Sequence, residues 1–218
     1  MILALHSSPV QKGNLESMVL RIAEASGISF EMIRLSDLDI KPCKGCLECT
    51  KTRRCIHDDD MSKLYDQLEK AEGFVIGGVN YNDRLNATGH LFLERLYPLY
   101  HHEPVFRGKP VAIAAVGGED PAPASQDLED YLEKIWCFDI TGRVSFKSGI
   151  YPCFSCGFGT KCQAGMPSLH WSPEKFAAFR RVSTGLFHRF EDDGKTASLC
   201  NRIGRSLGFA VSDRRESC

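Results

Sequence analysis

Along the first 150 residues of the chain, apolar residues show strand-like patterns that alternate with helix-like patterns. Short, strongly apolar runs at residues 2–6, 74–78 and 110–116 predict strands that are buried on both faces of a sheet. Residues 28–35 alternate between apolar and polar positions, as a less buried strand does, and residues 140–146 complete a set of five predicted strands.

Helical patterns separate these strands. After the first strand, apolar residues recur at the spacing of one helix face, and Gly27 is expected to end this helix. The apolar face consists of Leu15, Met18, Val19, Ile22 and Ala23. Further helices are predicted at residues 61–71, 87–99 and 125–136. Strands that alternate with helices in this way predict βαβ units, a parallel sheet and a three-layer α/β sandwich.

The pattern changes after residue 150. A loop rich in glycine and cysteine is followed by predicted helices at residues 173–190 and 197–207, and the polar tail at residues 212–218 is expected to fray. The sequence therefore predicts a sheet domain over residues 1–150, with a cysteine loop inserted at 41–60. Residues 151–218 are predicted to form an extension with a second cysteine loop and helices.

Charge and hydropathy exclude several classes of protein. The 27 Lys and Arg residues nearly balance the 28 Asp and Glu residues, whereas a dedicated nucleic-acid-binding protein normally has a basic excess. No apolar run approaches the roughly 18 residues that span a bilayer, and the first residues lack the basic segment of a signal peptide. We therefore expect a cytoplasmic protein without nucleic-acid or membrane partners.

Four of the ten cysteines form a compact C-x2-C-x2-C-x5-C motif, which comprises Cys43, Cys46, Cys49 and Cys55. The run C-x2-C-x2-C is common in proteins that bind [4Fe–4S] clusters, because closely spaced thiolates can wrap one compact centre. Structural zinc sites more often separate two C-x2-C pairs by a dozen or more residues. The motif therefore favours an iron–sulfur cluster, with zinc, free thiols or disulfides as the alternatives.

Charged residues surround this motif. Its basic residues either raise the reduction potential of an anionic cluster or only keep the loop hydrated; they are Lys44, Lys51, Arg53 and Arg54. The run from His57 to Asp60 precedes a predicted helix, where acidic residues act as caps. We assign this run no catalytic role.

A second cysteine group, Cys153, Cys156 and Cys162, lies among glycines in a C-x2-C-x5-C pattern. With Cys200 or Cys137 as a fourth ligand, it could complete a second metal centre. The alternatives are zinc, a redox disulfide, or thiols that pack as small apolar side chains.

The turn after the first strand, residues 7–14, leads directly into the first predicted helix. Backbone N–H groups and the helix dipole can hold a phosphate in such a turn, with serine and asparagine side chains as further donors. Ligands of open α/β sheets bind at the carboxyl ends of the strands, where this turn lies. The turn is therefore a candidate phosphate site.

Together with the cysteine motif, this turn makes residues 1–150 resemble the iron–sulfur flavoprotein family, a branch of the flavodoxin-like FMN reductases. Ser7-Ser8-Pro9 and Gly13-Asn14 look like the FMN phosphate loop of that family. The cysteine motif that runs into Asp59-Asp60-Met61 looks like its cluster loop. Similar stretches follow its third and fourth strands: Val79-Asn80-Tyr81 with Leu93-Glu94-Arg95, and Val116-Gly117-Gly118.

The resemblance implies a flavodoxin-like sandwich with a five-stranded parallel sheet that binds FMN, and a [4Fe–4S] cluster on the four motif cysteines. The FMN contacts that it implies are Ser7, Ser8, Val10, Lys12, Asn14, Leu15, Val79, Asn80, Tyr81, Asn82, Asp83, Gly117, Gly118 and Glu119. No catalytic acid, base or nucleophile is assigned.

Four of these positions depart from the family pattern. Val10 and Leu15 replace the arginine and threonine of the phosphate loop, while Val79 replaces a proline and Asn80 an apolar residue. The phosphate is therefore expected to be held by Ser8, Asn14 and backbone amides, with help from Lys12.

The function implied is electron transfer between the cluster and FMN, with ferredoxin or another small electron carrier as partner and a homodimer or tetramer as the assembly. One alternative is an NAD(P)H-dependent FMN or quinone reductase in which the cysteines are structural. A zinc-stabilised interaction module is a third, non-enzymatic possibility.

Overall fold

The computed structural model describes residues 1–149, 158, 162–165, 168–169, 171–178 and 187–217. The strands in these ranges are β1 (Ile2–His6), β2 (Phe30–Arg34), β3 (Gly73–Tyr81), β4 (Arg84–Leu85), β5 (Pro110–Gly117) and β6 (Asp139–Lys147). Five of them form a parallel sheet in the order β2-β1-β3-β5-β6, while β4 pairs antiparallel with β3. The predicted parallel sheet is confirmed.

The helices flank this sheet on both faces. They are α1 (Asn14–Ala25), α2 (Cys49–Thr52), α3 (Asp60–Lys70), α4 (Ala87–Glu94), α5 (Ala122–Glu129), α6 (Pro173–Ala178) and α7 (Gly194–Ser217). α5 continues as a π-helix over Asp130–Ile135. Gly27, which has a φ of +69°, follows α1 as predicted. Among the described residues, no helix is long and apolar enough to cross a membrane.

Alternate residues of the interior strand β1 belong to two separate hydrophobic clusters. Ile2 and Ala4 pack with α1 and α7, whereas Leu3 and Leu5 pack with α3, α4 and α5. All four side chains are fully buried. This burial on both faces explains why β1 reads as one continuous apolar run in the sequence.

α7 covers the sheet beside α1 through two glycines that permit a very close approach. A Cβ atom on Gly204 would lie 2.4 Å from the carbonyl oxygen of Ile22. A Cβ atom on Gly208 would lie 2.1 Å from the carbonyl oxygen of Ser26. The helix therefore belongs to the same α/β layers as residues 1–149, although the domain boundary at residue 150 stays a prediction.

Two helix predictions and the predicted frayed tail differ from the structure. The helix predicted at 87–99 ends at Glu94, and a short 3₁₀ turn at Tyr97–Leu99 follows because Pro98 cannot continue an α-helix. The helix predicted at 173–190 is wrong at its end, since residues 187–189 are not helical. The frayed tail is also wrong up to residue 217: α7 extends through it, and Arg215 forms an ion pair with Glu72.

Candidate functional site

Loops that follow the parallel strands meet at the carboxyl edge of the sheet, where open α/β sheets bind ligands. They include the turn into α1, the hairpin between β3 and β4, and the loop between β5 and α5. The cysteine loop after β2 begins at the same edge. α4 starts after the hairpin and ends beside the cysteines. One eight-residue helix, about 12 Å long, therefore connects the predicted flavin loops with the cysteine site.

The phosphate turn begins with two buried serines whose side chains shape its backbone. Ser7 Oγ donates a hydrogen bond to Asn86 Oδ1 at 2.5 Å, and Asn86 Nδ2 donates to the carbonyl oxygen of Ser7 at 2.9 Å. Ser8 Oγ accepts a hydrogen bond from the backbone N–H of Val10 at 3.1 Å. Asn86 was missed in the sequence because it lies 79 residues away from Ser7.

The first turn of α1 presents backbone amides without a side-chain cap from the described residues, as an anion site needs. Its N-cap is Gly13, and no side chain of the described residues caps it. The Lys12 N–H is used locally, since it donates to Glu16 Oε2 at 3.0 Å. Leu15 is buried in the core, so only its backbone amide can face a ligand, and Val10 is 58% exposed. This turn fits a phosphate held by backbone N–H groups.

Asn14 contacts a later segment of the chain. Its Nδ2 donates to the carbonyl oxygen of His188 at 3.0 Å, and its Oδ1 accepts from the Phe190 N–H at 3.0 Å. Nearby, Ser17 Oγ donates to Glu191 Oε1 at 2.7 Å. The side-chain amide of Asn14 is therefore already engaged, which leaves its predicted role in phosphate binding as a prediction.

His6, the last residue of β1, is a buried polar group that the sequence interpretation did not use. Neither ring nitrogen has a hydrogen-bond partner among the described residues, and Nε2 lies 3.8 Å from Glu16 Oε2. Burial lowers the pKa of His6; the charge of Glu16 raises it, that of Arg34 lowers it and that of Asp37 raises it. The only signal in the sequence was a histidine at the end of an apolar run.

The predicted flavin contacts at residues 79–83 lie at the end of β3 and in the tight hairpin that follows, which turns at Asn82 and Asp83 with φ of +52° and +58°. Asn80 Nδ2 donates to the carbonyl oxygen of Asp120 at 2.6 Å, which ties the hairpin to the loop after β5. Its Oδ1 is buried and has no hydrogen-bond partner within the described part of the chain. The other two predicted contacts here are Val79, half-buried, and Tyr81, exposed.

The loop after β5 is fixed to the chain that leaves β6. Ser148 donates from both its N–H and its Oγ to the carbonyl oxygen of Gly117, and the Gly149 N–H donates to Gly118. Glu119 is exposed and pairs with a lysine of β6. The structure brings the three predicted flavin loops to one edge of the sheet, while their contacts with FMN stay predictions.

The four motif cysteines line one common pocket and are all free thiols. Burial raises the pKa of Cys49, and the charges of Cys55, Cys43 and Cys46 raise it further, because all four thiols lie close together. The loop makes room for them with left-handed backbone at Gly45. The Gly45 N–H also donates to Cys43 Sγ at 3.4 Å.

A second set of contacts closes the base of the cysteine loop. Asp59 caps α3, as predicted for this acidic run, by accepting from the Met61 N–H at 3.2 Å. The Asp59 carboxylate also accepts from the Lys41 N–H at 3.0 Å and from two nitrogens of Arg95 at 2.6 and 3.1 Å. Arg95 and Asp59 are fully buried side chains. Spacing did not predict this pair, because its members lie 36 residues apart.

The basic residues around the motif are largely paired with carboxylates. Lys51 contacts Glu48, while Arg53 and Arg54 both contact Glu69. These ion pairs favour the interpretation that the basic residues support and hydrate the loop.

The second cysteine group falls largely outside the described residues, because Cys153 and Cys156 are not among them. Cys200 is fully buried in the core, and burial raises its pKa to about 11, so it packs as a small apolar side chain. Cys137 lies before the start of β6, at the amino edge of the sheet. The chain leaves β6 toward the second cysteine group at the other, carboxyl edge. Within the described ranges, no three Cys, His, Asp or Glu side chains are placed to hold a metal ion.

Sequence comparisons identify related proteins. Residues 1–142 match the family described as NADPH-dependent FMN reductase. An iron–sulfur flavoprotein of Archaeoglobus fulgidus is 30% identical over 189 residues, which cover 85% of this chain and 90% of that protein. An iron–sulfur flavoprotein of Methanosarcina thermophila is 26% identical over 120 residues, or 54% of this chain and 63% of that protein.

Solved structures share the fold at low sequence identity. RosB, solved with the bound intermediate 8-demethyl-8-formylriboflavin-5'-phosphate, superimposes with a TM-score of 0.66 at 15% identity, and the match covers 99% of this chain and 80% of RosB. A flavodoxin from the domain Archaea gives a TM-score of 0.53 at 11% identity, over 97% of this chain and 99% of its own. The flavodoxin-like fold is therefore confirmed.

Proposed function

Because the chain belongs to the NADPH-dependent FMN reductase family and to its iron–sulfur flavoproteins, it is a flavin-dependent oxidoreductase, and we propose that it exchanges electrons between bound FMN and a [4Fe–4S] cluster. The observation that carries this proposal is the position of the two sites. The loops that fit FMN and the pocket lined by four thiols lie at the two ends of α4.

The carboxyl edge of the sheet supports the flavin half of the proposal. The first turn of α1 offers uncapped amides to the FMN phosphate, and the hairpin and the loop after β5 stand at the same edge. The Oδ1 of Asn80, which has no hydrogen-bond partner among the described residues, would accept a hydrogen bond there. Bound FMN takes up one or two electrons and an iron–sulfur cluster takes up one, so the pair can connect one-electron and two-electron carriers.

The donor set supports the cluster half. The C-x2-C-x2-C-x5-C motif supplies four thiols to one pocket, and cysteine is the ligand type that iron–sulfur clusters require. Structural zinc sites more often separate two C-x2-C pairs by a dozen or more residues, so the compact spacing of this motif suits a cluster better than one zinc ion.

A pair of variants tests the cluster assignment. Cys46→Ser removes one proposed ligand. The anaerobically purified variant should therefore lose iron and the broad absorption at about 400 nm, and it should retain FMN. Cys137→Ser changes a half-buried thiol outside the motif and should keep both. Full retention of iron by Cys46→Ser would contradict the proposed ligand set.

The exposed rim of the cysteine loop supports ferredoxin or another small electron carrier as the proposed partner. Leu47 and Ile56 are 55% and 56% exposed beside the thiols, where a docked carrier would contact them. Stopped-flow reduction by ferredoxin should slow in Leu47→Ser and not in Leu169→Ser, which changes another exposed leucine. The homodimer or tetramer stays a prediction.

The name of the matched family favours a second candidate, an NAD(P)H-dependent FMN reductase with structural cysteines. In this case NADPH would bleach the flavin band of iron-free protein at a rate equal to that of the iron-loaded protein. Bleaching that occurs only through ferredoxin and only with iron present would exclude this alternative.

A further inference from the structure

Arg95 lies beneath the cysteine site, at the end of α4, and its side chain is only 1% exposed. It lines the pocket that the four motif cysteines also line. Arg95 is therefore a buried cation next to the proposed cluster ligands.

The guanidinium joins both ends of the cysteine loop. Its Nη1 donates to the carbonyl oxygen of Lys41, two residues before Cys43, and to Asp59, four residues after Cys55. Its Nη2 donates to the second carboxylate oxygen of Asp59, which makes the ion pair bidentate. One side chain from another element thus fixes where the loop begins and where it ends.

One N–H donor of this guanidinium, at Nε, is buried and has no acceptor among the described residues. A buried N–H without a partner costs free energy, so such a group in a folded protein points to an acceptor that binds there. The sulfurs of the four motif cysteines line the same pocket. As cluster ligands they would accept hydrogen bonds from N–H groups, and such hydrogen bonds tune cluster potentials.

We propose that Arg95 is a positioning residue of the iron–sulfur site, which anchors both ends of the cysteine loop and donates its Nε–H to a sulfur of the loaded site. This inference rests on the proposed function, because it requires a cluster on the four cysteines. Hydrogen bonds and positive charge stabilise the more negative, reduced form of a cluster. Arg95 therefore raises the reduction potential, while Asp59 partly offsets its charge.

Two variants test this proposal with shifts of opposite sign. Arg95→Lys keeps the positive charge but removes the Nε donor and the bidentate geometry, so the cluster potential should become more negative and iron should be lost faster to a chelator. Asp59→Asn leaves the guanidinium without its counter-charge, so the potential should become more positive. Arg54→Lys, an exposed arginine of the same loop, is the matched control and should shift neither quantity.

The readouts are the cluster potential from an anaerobic redox titration followed by electron paramagnetic resonance, the rate of iron release, and the affinity for FMN. The FMN affinity of both variants should equal that of the Arg54→Lys control. If iron-loaded wild type and both variants have the potential of the Arg54→Lys control, the inference about Arg95 is wrong and the cluster proposal stands. If the wild type contains no iron, the proposed function itself fails.

Discussion

Ser7 and Asn86 exchange two buried hydrogen bonds, one between their side chains at 2.5 Å and one from the Asn86 amide to the Ser7 carbonyl at 2.9 Å. Asn86 immediately precedes α4, so these bonds join the phosphate turn to the helix that leads to the cysteine pocket. Two buried hydrogen bonds therefore fix the phosphate turn to the start of α4.

Asn86→Ala should lower both stability and FMN affinity. It leaves the Ser7 hydroxyl and carbonyl buried without partners, which should reduce the free energy of unfolding by about 1–3 kcal/mol. Urea unfolding of the apoprotein and FMN titration measure the two effects. Ser36→Ala is the control, since it removes a single, less buried hydrogen bond to the Ser8 carbonyl. Equal FMN affinity in Asn86→Ala and wild type would show that the turn does not need this support.

His6 should make folding stability depend on pH. Burial lowers its pKa below the ordinary value of 6.5, so the unfolded chain takes up a proton below pH 6.5 while the folded chain does not. Stability should therefore fall as the pH drops through 6.5. The melting temperature of wild type should fall more steeply than that of His6→Asn between about pH 7.5 and 5.5.

The control for this comparison is His102→Asn, because His102 is exposed. Its pH profile should follow that of wild type. A His6→Asn profile parallel to that of wild type would mean that His6 binds protons equally in the folded and unfolded states.

Gly208→Ala should destabilise the protein although alanine is the better helix former. The new Cβ would lie 2.1 Å from the Ser26 carbonyl oxygen, so the helices must separate at a cost of about 1–3 kcal/mol. Gly194→Ala, which has no atom within 4 Å of the new Cβ, should be neutral or stabilising. Thermal melts of both variants test the contact between α1 and α7, and an unchanged melting temperature of Gly208→Ala would contradict it.

Asn14→Ala should release the segment that Asn14 holds. Loss of the bonds to His188 and Phe190 should speed amide hydrogen exchange at residues 187–191, which mass spectrometry can follow. Ser17→Ala removes only the bond to Glu191 and should have a smaller effect. If hydrogen exchange in Asn14→Ala is unchanged while its FMN affinity falls, Asn14 binds the FMN phosphate instead of holding this segment.

The sequence was sufficient for most of the sheet because buried parallel strands leave a strong local signal. β1 matches its predicted range to the residue, since Ile2–His6 is buried on both faces and ends before Pro9. The end of the chain was predicted poorly because distant contacts hold it. The polar tail is helical where Arg214 contacts Gly108 and Arg215 contacts Glu72.

The site shows the same division between local and distant information. The cysteine motif is local, and its four thiols do line one pocket. The support beneath it depends on Arg95, which lies far from Asp59 and Lys41 in sequence and which periodicity cannot pair with them. The two ring nitrogens of His6, which have no hydrogen-bond partner among the described residues, likewise could not be identified from the sequence, because their burial depends on distant elements.

The proposed function requires one chain to hold both FMN and a redox-active cluster. A reductive titration of anaerobically purified protein, followed by visible absorption and electron paramagnetic resonance, counts the electrons that each of them takes up. We expect about three electron equivalents per chain, two for the flavin and one for the cluster. An endpoint at about two equivalents, with flavin bleaching and no signal from a reduced cluster, would contradict it.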